Sequence, residues 1–301
     1  MVTRIAGAAL AVLLSVFALA APAEVLVLGS LNDNVRKHVK RFTPLSEYLQ
    51  QELAEVGVTE VLISVLPSSA AMEAALAEGQ VDLYFDSPVV AAKVARNSGA
   101  VPFLRRWKRG VGTYHSVIVV PTNSEIQSLQ DLVGRKIGFQ DPDSTSGFLL
   151  PMGLILAQQL PAKEIPGYQA PAPEDAIGYL FSKDDKNSIL WLSRGWIDAA
   201  ATDPNGFSKL DAAFPGEYRV VARSIEVPRQ TVIRTASMDP TLVVALRNLF
   251  VELDKTEDGK AVLKKFHKTS QFDEFPDGVE ATFAPIYELL DELAAEGVLG
   301  S

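Results

Sequence analysis

The sequence predicts an α/β protein of two lobes. Short apolar runs alternate with helical ones, the alternation occurs in two successive series, and no structureless linker separates them. The first series opens with Val25 to Leu31 as strand. An amphipathic helix follows from about Pro44 to Glu55, with Leu45, Tyr48, Leu49 and Leu53 at helical spacing. Val61 to Leu66 reads as strand, the Ala-rich Ser69 to Ala77 as helix, Val81 to Phe85 as strand, and Pro88 to Asn97 as a helix with proline in its first turn. This βαβαβα run predicts a largely parallel sheet with helices on both faces. The second series comprises Ser116 to Val120, Lys136 to Phe139, a long helix from about Gly147 to Gln159, then Ile197 to Ala201 and Tyr218 to Ala222. After a β-branched stretch at Thr231 to Thr235 the chain reads as mainly helical, in Pro240 to Leu253, Gly259 to Phe266 and Ala284 to Ala295.

Two lobes without a tether require short crossings, which are expected near Gly112 to Ser116 and near Ser224 to Arg229. Residues 24–115 and 225–301 then form the first lobe and 116–224 the second. A cleft is expected between them, at the carboxyl ends of the strands, where open α/β sheets bind ligands.

Ahead of the first strand, Arg4 precedes an uncharged apolar run from Ile5 to Ala21, and Ala21-Pro22-Ala23 fits an A-x-A cleavage pattern. A signal peptide over 1–23 is expected, since the run is short for a membrane-spanning helix. Roughly 275 residues would remain, enough for two ordinary lobes. Cysteine is absent, which excludes disulfides, a lipid-modified N-terminal cysteine and thiol catalysis. A periplasmic protein that is not a lipoprotein is therefore expected. The formal net charge of −9 becomes more negative when Arg4 leaves with the leader, which argues against nucleic acid or an anionic membrane as partner. Any anion must be held by local dipoles against that field.

Asp141-Pro-Asp143-Ser144-Thr145-Ser146-Gly147-Phe-Leu-Leu-Pro151 follows a strand directly and opens a helix. The first turn of a helix carries amides without intrahelical acceptors and about half a positive charge. Three successive hydroxyls add donors there, and Gly147 would let an oxyanion approach the backbone. The competing reading is an ordinary N-cap, because Ser, Thr and Asp are the usual capping residues. Three other motifs fail on spacing. The twelfth position of a calcium loop counted from Asp141 is Met152, Ser144 stands where a nucleophile elbow needs glycine, and no Gly-Lys-Ser/Thr exists. His38, His115 and His267 are scattered, so neither metal nor cofactor is expected. Arg105-Arg106-Trp107-Lys108-Arg109 reads most simply as a solvated loop, with contact to an acidic partner or the cleft rim as the alternatives. Trp191 and Trp196 fit core positions, or the cleft wall.

The cradle, together with Tyr114-His115-Ser116-Val-Ile-Val-Val and Ser128-Leu-Gln-Asp131-Leu-Val-Gly134-Arg-Lys136-Ile-Gly-Phe, resembles the phosphate/phosphite/phosphonate-binding family of ABC-transporter substrate-binding proteins. Pro44-Leu45-Ser-Glu-Tyr48-Leu49, Gly79-Gln-Val-Asp82-Leu, Gly195-Trp-Ile-Asp198-Ala199-Ala and Ile225-Glu-Val-Pro228 extend the likeness over most of the chain. The resemblance implies a type II periplasmic-binding-protein fold, no catalysis, and a monomer that hands a small phosphorus oxyanion to an ABC permease. It implies that Ser144, Thr145 and Ser146 bind the phosphoryl oxygens and that Tyr114 adds a phenol from the hinge side. Asp203 is a candidate for reading the rest of the ligand, or a cap for the helix after Pro204. Ser87 and Asp143 complete the candidate set; Asp143 would either merely cap the helix N-terminus or select a protonated oxyanion over sulfate. Many phosphonate binders carry a Gly-Ser-His element where this chain reads Phe181 to Ser188, without histidine. That departure turns the expectation toward phosphate or phosphite. A periplasmic sensor of the same fold, feeding a membrane signalling partner, is the alternative; a phosphate-ester hydrolase lacks a nucleophile with an adjacent base.

Overall fold

The structure, a computed structural model, describes residues 24–32 and 34–299, so the expected leader lies outside the described residues. Strand β1 (Glu24–Leu31) lies parallel to β2 (Val58–Leu66) and β3 (Leu83–Asp86). The returns between them run through α1 (Val35–Glu52) and α2 (Ser69–Ala77), and a helical crossover restores the strand direction. Helix α1 starts well before Pro44. Asn34 caps it, accepting from the Lys37 amide at 3.1 Å, and Pro44 lies inside it. The expected start at Pro44 misreads this because the first half of α1 is polar and shows no apolar stripe, while proline ordinarily marks a first turn.

After α3 (Pro88–Ser98) the pairing changes hand. Strand β4 (Val101–Lys108) is antiparallel to β13 (Thr231–Arg234) and to β14 (Thr269–Asp273), and β13 is antiparallel to β3. The sheet order is β14-β4-β13-β3-β1-β2, so the sheet is mixed rather than largely parallel. Strand β4 also corrects the reading of the basic run as a solvated loop. Arg105 and Arg106 are only 7% and 3% exposed, on opposite faces of the pleat. Arg105 is held by Asp273, its Nε donating to Oδ1 at 2.8 Å.

The chain leaves this sheet through β5 (Thr113–Tyr114) and returns through β12 (Val227–Pro228), which pair antiparallel as a small ribbon. Between them lie β6 (Val117–Pro121), β7 (Lys136–Phe139), β8 (Ala162–Glu164), β9 (Ile177–Phe181), β10 (Ala199–Thr202) and β11 (Tyr218–Arg223). They form the second sheet in the order β11-β6-β10-β7-β9-β8, parallel from β10 to β8 and antiparallel at the other edge. Its helices are α4 (Leu150–Ala157), α5 (Asp185–Ser193) and α6 (Pro204–Ala213). Strands β8 and β9 were not expected from the sequence. Helices α7 (Pro240–Glu252) and α8 (Glu257–Lys265) pack on the first sheet, around Phe42, Phe85, Phe250, Phe266 and Phe272.

The last helix, α9 (Gly278–Ala295), bridges the lobes. Its Leu289 lies so close to Gly153 of α4 that a Cβ there would meet Leu289 Cδ1 at 2.2 Å. Its other side holds Arg96 of α3, whose Nη2 donates to the Tyr287 carbonyl at 3.0 Å. Assigning all of 225–301 to the first lobe therefore leaves out the contacts this helix makes with the second.

The two sheets share one device. Asp82 accepts from the Val27 amide at 2.7 Å, and Asp198 from the Lys136 amide at 2.8 Å. Each follows a glycine with positive φ, Gly79 and Gly195, that turns the chain out of a helix. These two Gly-x-x-Asp elements therefore hold strands in register.

Candidate ligand-binding cleft

Strands β3, β7 and β10 all end toward the gap between the sheets, and each is followed by a helix start. The helices therefore aim unpaired first-turn amides into one space. That space is a cleft of about 570 Å³ lined by Ser87, Tyr114, Ser144, Thr145, Ser146 and Asp203, among others. Asp143 also lines it. Of the candidate residues only Gly147 does not line the wall. A Cβ on it would meet Gln140 Cβ at 2.5 Å and Ser144 Oγ at 2.7 Å, so glycine is needed there by Gln140 and Ser144 rather than by the approach of an oxyanion.

The cradle opens as a π turn, Thr145–Leu149, before α4 takes over. Both the Phe148 and Leu149 amides donate to the Ser144 carbonyl at 3.0 Å. The wider turn swings carbonyls outward: Gly147 accepts from the Gln140 amide at 3.0 Å, and Ser146 from the Ser116 hydroxyl at 2.6 Å. Such bulges frequently mark functional sites. Ser144 is the cap, accepting from the Gly147 amide at 3.1 Å while its hydroxyl donates to Gln140 Oε1 at 2.8 Å. Its hydroxyl proton is thus engaged inside the loop, whereas Thr145 and Ser146 face the cleft.

Thr145 donates its hydroxyl proton to Ser87 Oγ at 3.0 Å, a bond from one lobe to the other. Ser87 is the N-cap residue of α3, yet its hydroxyl caps no helix amide. The Tyr114 phenol lies near Ser146 and Thr145, and burial pushes it up to about 12, so it is a proton donor at any ordinary pH. Asp203 forms the expected cap, and its second carboxylate oxygen meets a cation. Oδ1 caps α6 by accepting from the Gly206 amide at 2.7 Å, and Oδ2 pairs with Arg229 at 3.3 Å.

Arg229 is the main residue that sequence reading missed. Its guanidinium sits 4.3 Å from the centroid of the Tyr114 ring, so one cation orients both the phenol and the carboxylate. The available signal was its position directly after Ile225-Glu-Val-Pro228 at the crossing. Lys183 and Asp185 also line the cleft without having been expected there, and Lys108 lines it as the cleft-rim alternative for the basic run allows. Burial, with Asp203 nearby, holds the Asp185 carboxyl above the usual range. Aspartates outnumber cationic side chains on the wall as a whole, so amides, hydroxyls and Arg229 would have to hold an anion locally. Trp196 stacks on Tyr168 with centroids 4.5 Å apart, and Trp191 packs against the same ring; neither lines the cleft. His38 and His267 are not scattered, since their rings meet edge to face at 5.0 Å. Among the described residues no cluster of His, Asp and Glu could hold a metal ion, and no helix is long and apolar enough to cross a membrane.

Residues 31–277 match the family model described as the periplasmic substrate-binding protein of phosphonate ABC transporters. The chain is 25% identical over 163 residues to the phosphonates-binding periplasmic protein of Escherichia coli, covering 50% of this chain and 44% of that one. It is also 25% identical over 183 residues to a phosphate-import protein of Mycolicibacterium smegmatis, covering 58% and 56%. It thus spans about half the length of the curated relatives it matches. Among solved structures, the ATP-bound XAC2383 of Xanthomonas citri superposes with a TM-score of 0.81 at 25% identity, over 89% of this chain and 99% of that one. The two mixed sheets joined by paired crossings are the type II periplasmic-binding-protein fold. The chain belongs to the periplasmic substrate-binding protein family of phosphonate ABC transporters, a family of binding proteins rather than enzymes.

Proposed function

We propose that the chain captures a small phosphorus oxyanion between its lobes and presents it, closed, to an ABC permease in the membrane. The contact of Thr145 with Ser87 carries the reading. Two hydroxyls, each at a helix start and each on a different lobe, meet at 3.0 Å beside the Tyr114 phenol. A tetrahedral oxyanion seated there takes over both hydroxyls and the neighbouring first-turn amides at once. Its binding therefore favours the closed arrangement over the open one, which is the differential affinity that hinge closure requires. The β5–β12 ribbon is the natural hinge, because the chain crosses between the sheets there. The match to the binding proteins of ABC transporters supports transport over sensing. Export to the periplasm by the leader at 1–23, as a monomer without a lipid anchor, belongs to the same proposal.

Cleft size refines the ligand. A volume of about 570 Å³ lies in the range that suits an organic ligand, so a substituted phosphonate or phosphate fits better than the bare phosphate or phosphite favoured by the missing histidine. XAC2383, whose bound ATP is a phosphate ester with a large substituent, supports the same direction. Isothermal titration of refolded protein with phosphate, phosphite, methylphosphonate, 2-aminoethylphosphonate and sulfate tests the reading, with Ser146→Ala alongside. Binding of a phosphorus oxyanion in preference to sulfate, weakened in the variant, is expected. Absence of binding to every phosphorus compound defeats it.

A further inference from the structure

A second cavity of about 230 Å³ opens from the cleft and shares Leu31, Asp86, Lys108 and Gln230 with it. It lies wholly on the first lobe. Arg41 from α1, Arg106 and Lys108 from β4, and His38 and His267 line it, against walls of Phe42, Phe85 and Phe266. Its charge is opposite to that of the main cleft: three cationic side chains face the single carboxylate of Asp86. Both histidines are held neutral by burial, His267 down to about 2.

Arg106 is the anomaly. It is 3% exposed, and among the described residues no carboxylate forms an ion pair with it. Nη1 donates to Thr269 Oγ1 at 3.1 Å and Nη2 to Gln230 Oε1, but Nε has no acceptor. Asp86, the nearby acid, already accepts from the Tyr84 hydroxyl and the Ser87 amide, both at 2.5 Å. The His267 Nε2 is likewise buried without a partner. Burying a guanidinium without a counter-charge is costly, and proteins tolerate such groups where something binds. The orphaned donor, the cavity beside it and the reversed charge are separate observations with one chemical meaning.

We infer that this cavity is a second anion subsite, filled by an acidic group at the far end of the same ligand. The substrate class is then a phosphorus oxyanion joined through a short spacer to a carboxylate or a second phosphoryl group. The inference rests on the cradle reading, which places the phosphorus end on Thr145 and Ser146. A charge-assisted contact to a desolvated guanidinium is the kind that separates a diacid ligand from its neutral-ended isostere.

The test compares 3-phosphonopropionate with propylphosphonate, using methylphosphonate as a probe of the cradle alone. We expect the diacid to bind about tenfold or more tightly than propylphosphonate. Arg106→Met and, on the accessible face of α1, Arg41→Ala should abolish that advantage while leaving methylphosphonate affinity unchanged. The sequence has three histidines, two of them at this cavity, so imidazole nitrogen NMR gives an independent readout. The diacid should shift His38 and His267, and methylphosphonate should leave them in place. Equal affinity for the two ligands, or diacid binding without those shifts, overturns the subsite alone. If methylphosphonate fails to bind, the cradle reading falls. The cavity is then judged on succinate, whose binding must depend on Arg106 and Arg41 for the inference to stand.

Discussion

The two walls of the cleft handle charge by different physics. On the second lobe Thr145 and Ser146 present neutral donors from the opening turn of a helix, and the cradle is a contiguous stretch from Asp141 to Pro151. On the first lobe Arg106, Lys108 and Asp86 are ionic, partly or wholly buried, come from strands β4 and β3, and line the second cavity that opens from the cleft. A dipolar wall costs little to keep without ligand, because its groups carry no net charge to desolvate. An ionic wall is costly without ligand and gains more when a counter-charge arrives. The cradle should therefore set general affinity for phosphorus oxyanions, and the ionic wall should set which substituents are accepted.

The largest effect expected from breaking the dipolar wall is at Gly147. In Gly147→Ala the new methyl meets Gln140 and the Ser144 hydroxyl, so the π turn must shift. A destabilisation of about 1–3 kcal/mol is expected from that overpacking. Because the cradle amides move with the turn, methylphosphonate binding should weaken about a hundredfold, a loss typical of misplaced binding groups. Thermal unfolding and titration of the same sample separate the two. Unaltered binding would show that the cradle amides contribute nothing.

Arg229 joins the walls, and its removal ranks next. Arg229→Ala strips Asp203 of its cation and the Tyr114 ring of its cover, leaving a carboxylate with 15% side-chain exposure unpaired. A loss of about tenfold in affinity is expected, roughly the contribution of one charge-assisted contact. Arg229→Lys should not restore it, because an ammonium cannot stack on the ring and pair with Asp203 in the same geometry.

The contrast between the walls also explains what could be read from sequence. The cradle was legible because strand, turn and helix start are adjacent in the chain, and hydroxyls before an apolar helix announce themselves. The ionic wall was not, because Arg105-Arg106-Trp107-Lys108-Arg109 looks like a solvated run until Asp273, 168 positions later, arrives to neutralise Arg105. Strand β9 escaped notice for a related reason: Ile177–Phe181 is short and sits within a polar, proline-rich stretch, and only its place between β7 and β8 makes it a strand. Gly147 was singled out for the approach of an oxyanion, whereas what a Cβ there would meet is Gln140 and Ser144.

Acid–base behaviour sharpens the comparison at a smaller scale. Burial, then Arg106, Arg229 and Arg109, hold the Lys108 ammonium down to about 8, against the pull of Asp86. In the free protein this group loses its proton as pH rises through about 8, and a bound anion favours the protonated form. Affinity should therefore decline from pH 8 to 9.5, with proton uptake on binding that calorimetry in buffers of different ionisation enthalpy can measure. For the free protein the sign is opposite. Because the folded-state value lies below that of an ordinary lysine, the unfolded chain binds more protons above pH 8, and this group's contribution to stability rises with pH there. Lys108→Met should remove both trends, whereas Thr145→Val should leave the stability trend intact. Tyr114→Phe comes next, with a loss of about threefold to tenfold in affinity, as for one neutral hydrogen bond, and no change in the pH profile.

Asp143 carries the smallest expected effect and the most specific one. It is exposed at the mouth of the cradle, with its amide donating to Asp141 Oδ1 at 3.1 Å and its side chain on the cleft wall. A carboxylate beside a bound oxyanion repels a fully ionised tetrahedral anion and accepts a hydrogen bond from one that keeps a proton. Asp143→Asn replaces that acceptor with a group that can also donate, so sulfate should gain relative to phosphate. Solvent at an exposed position screens the repulsion, which limits the change to a few-fold, on the order of 1 kcal/mol or less. Paired titrations with the two anions below neutral pH give the largest contrast, because phosphate keeps a proton there and sulfate does not. An unchanged phosphate-to-sulfate ratio would mean that Asp143 does not contribute to selectivity and that discrimination lies with Asp203 and Asp185 deeper in the cleft.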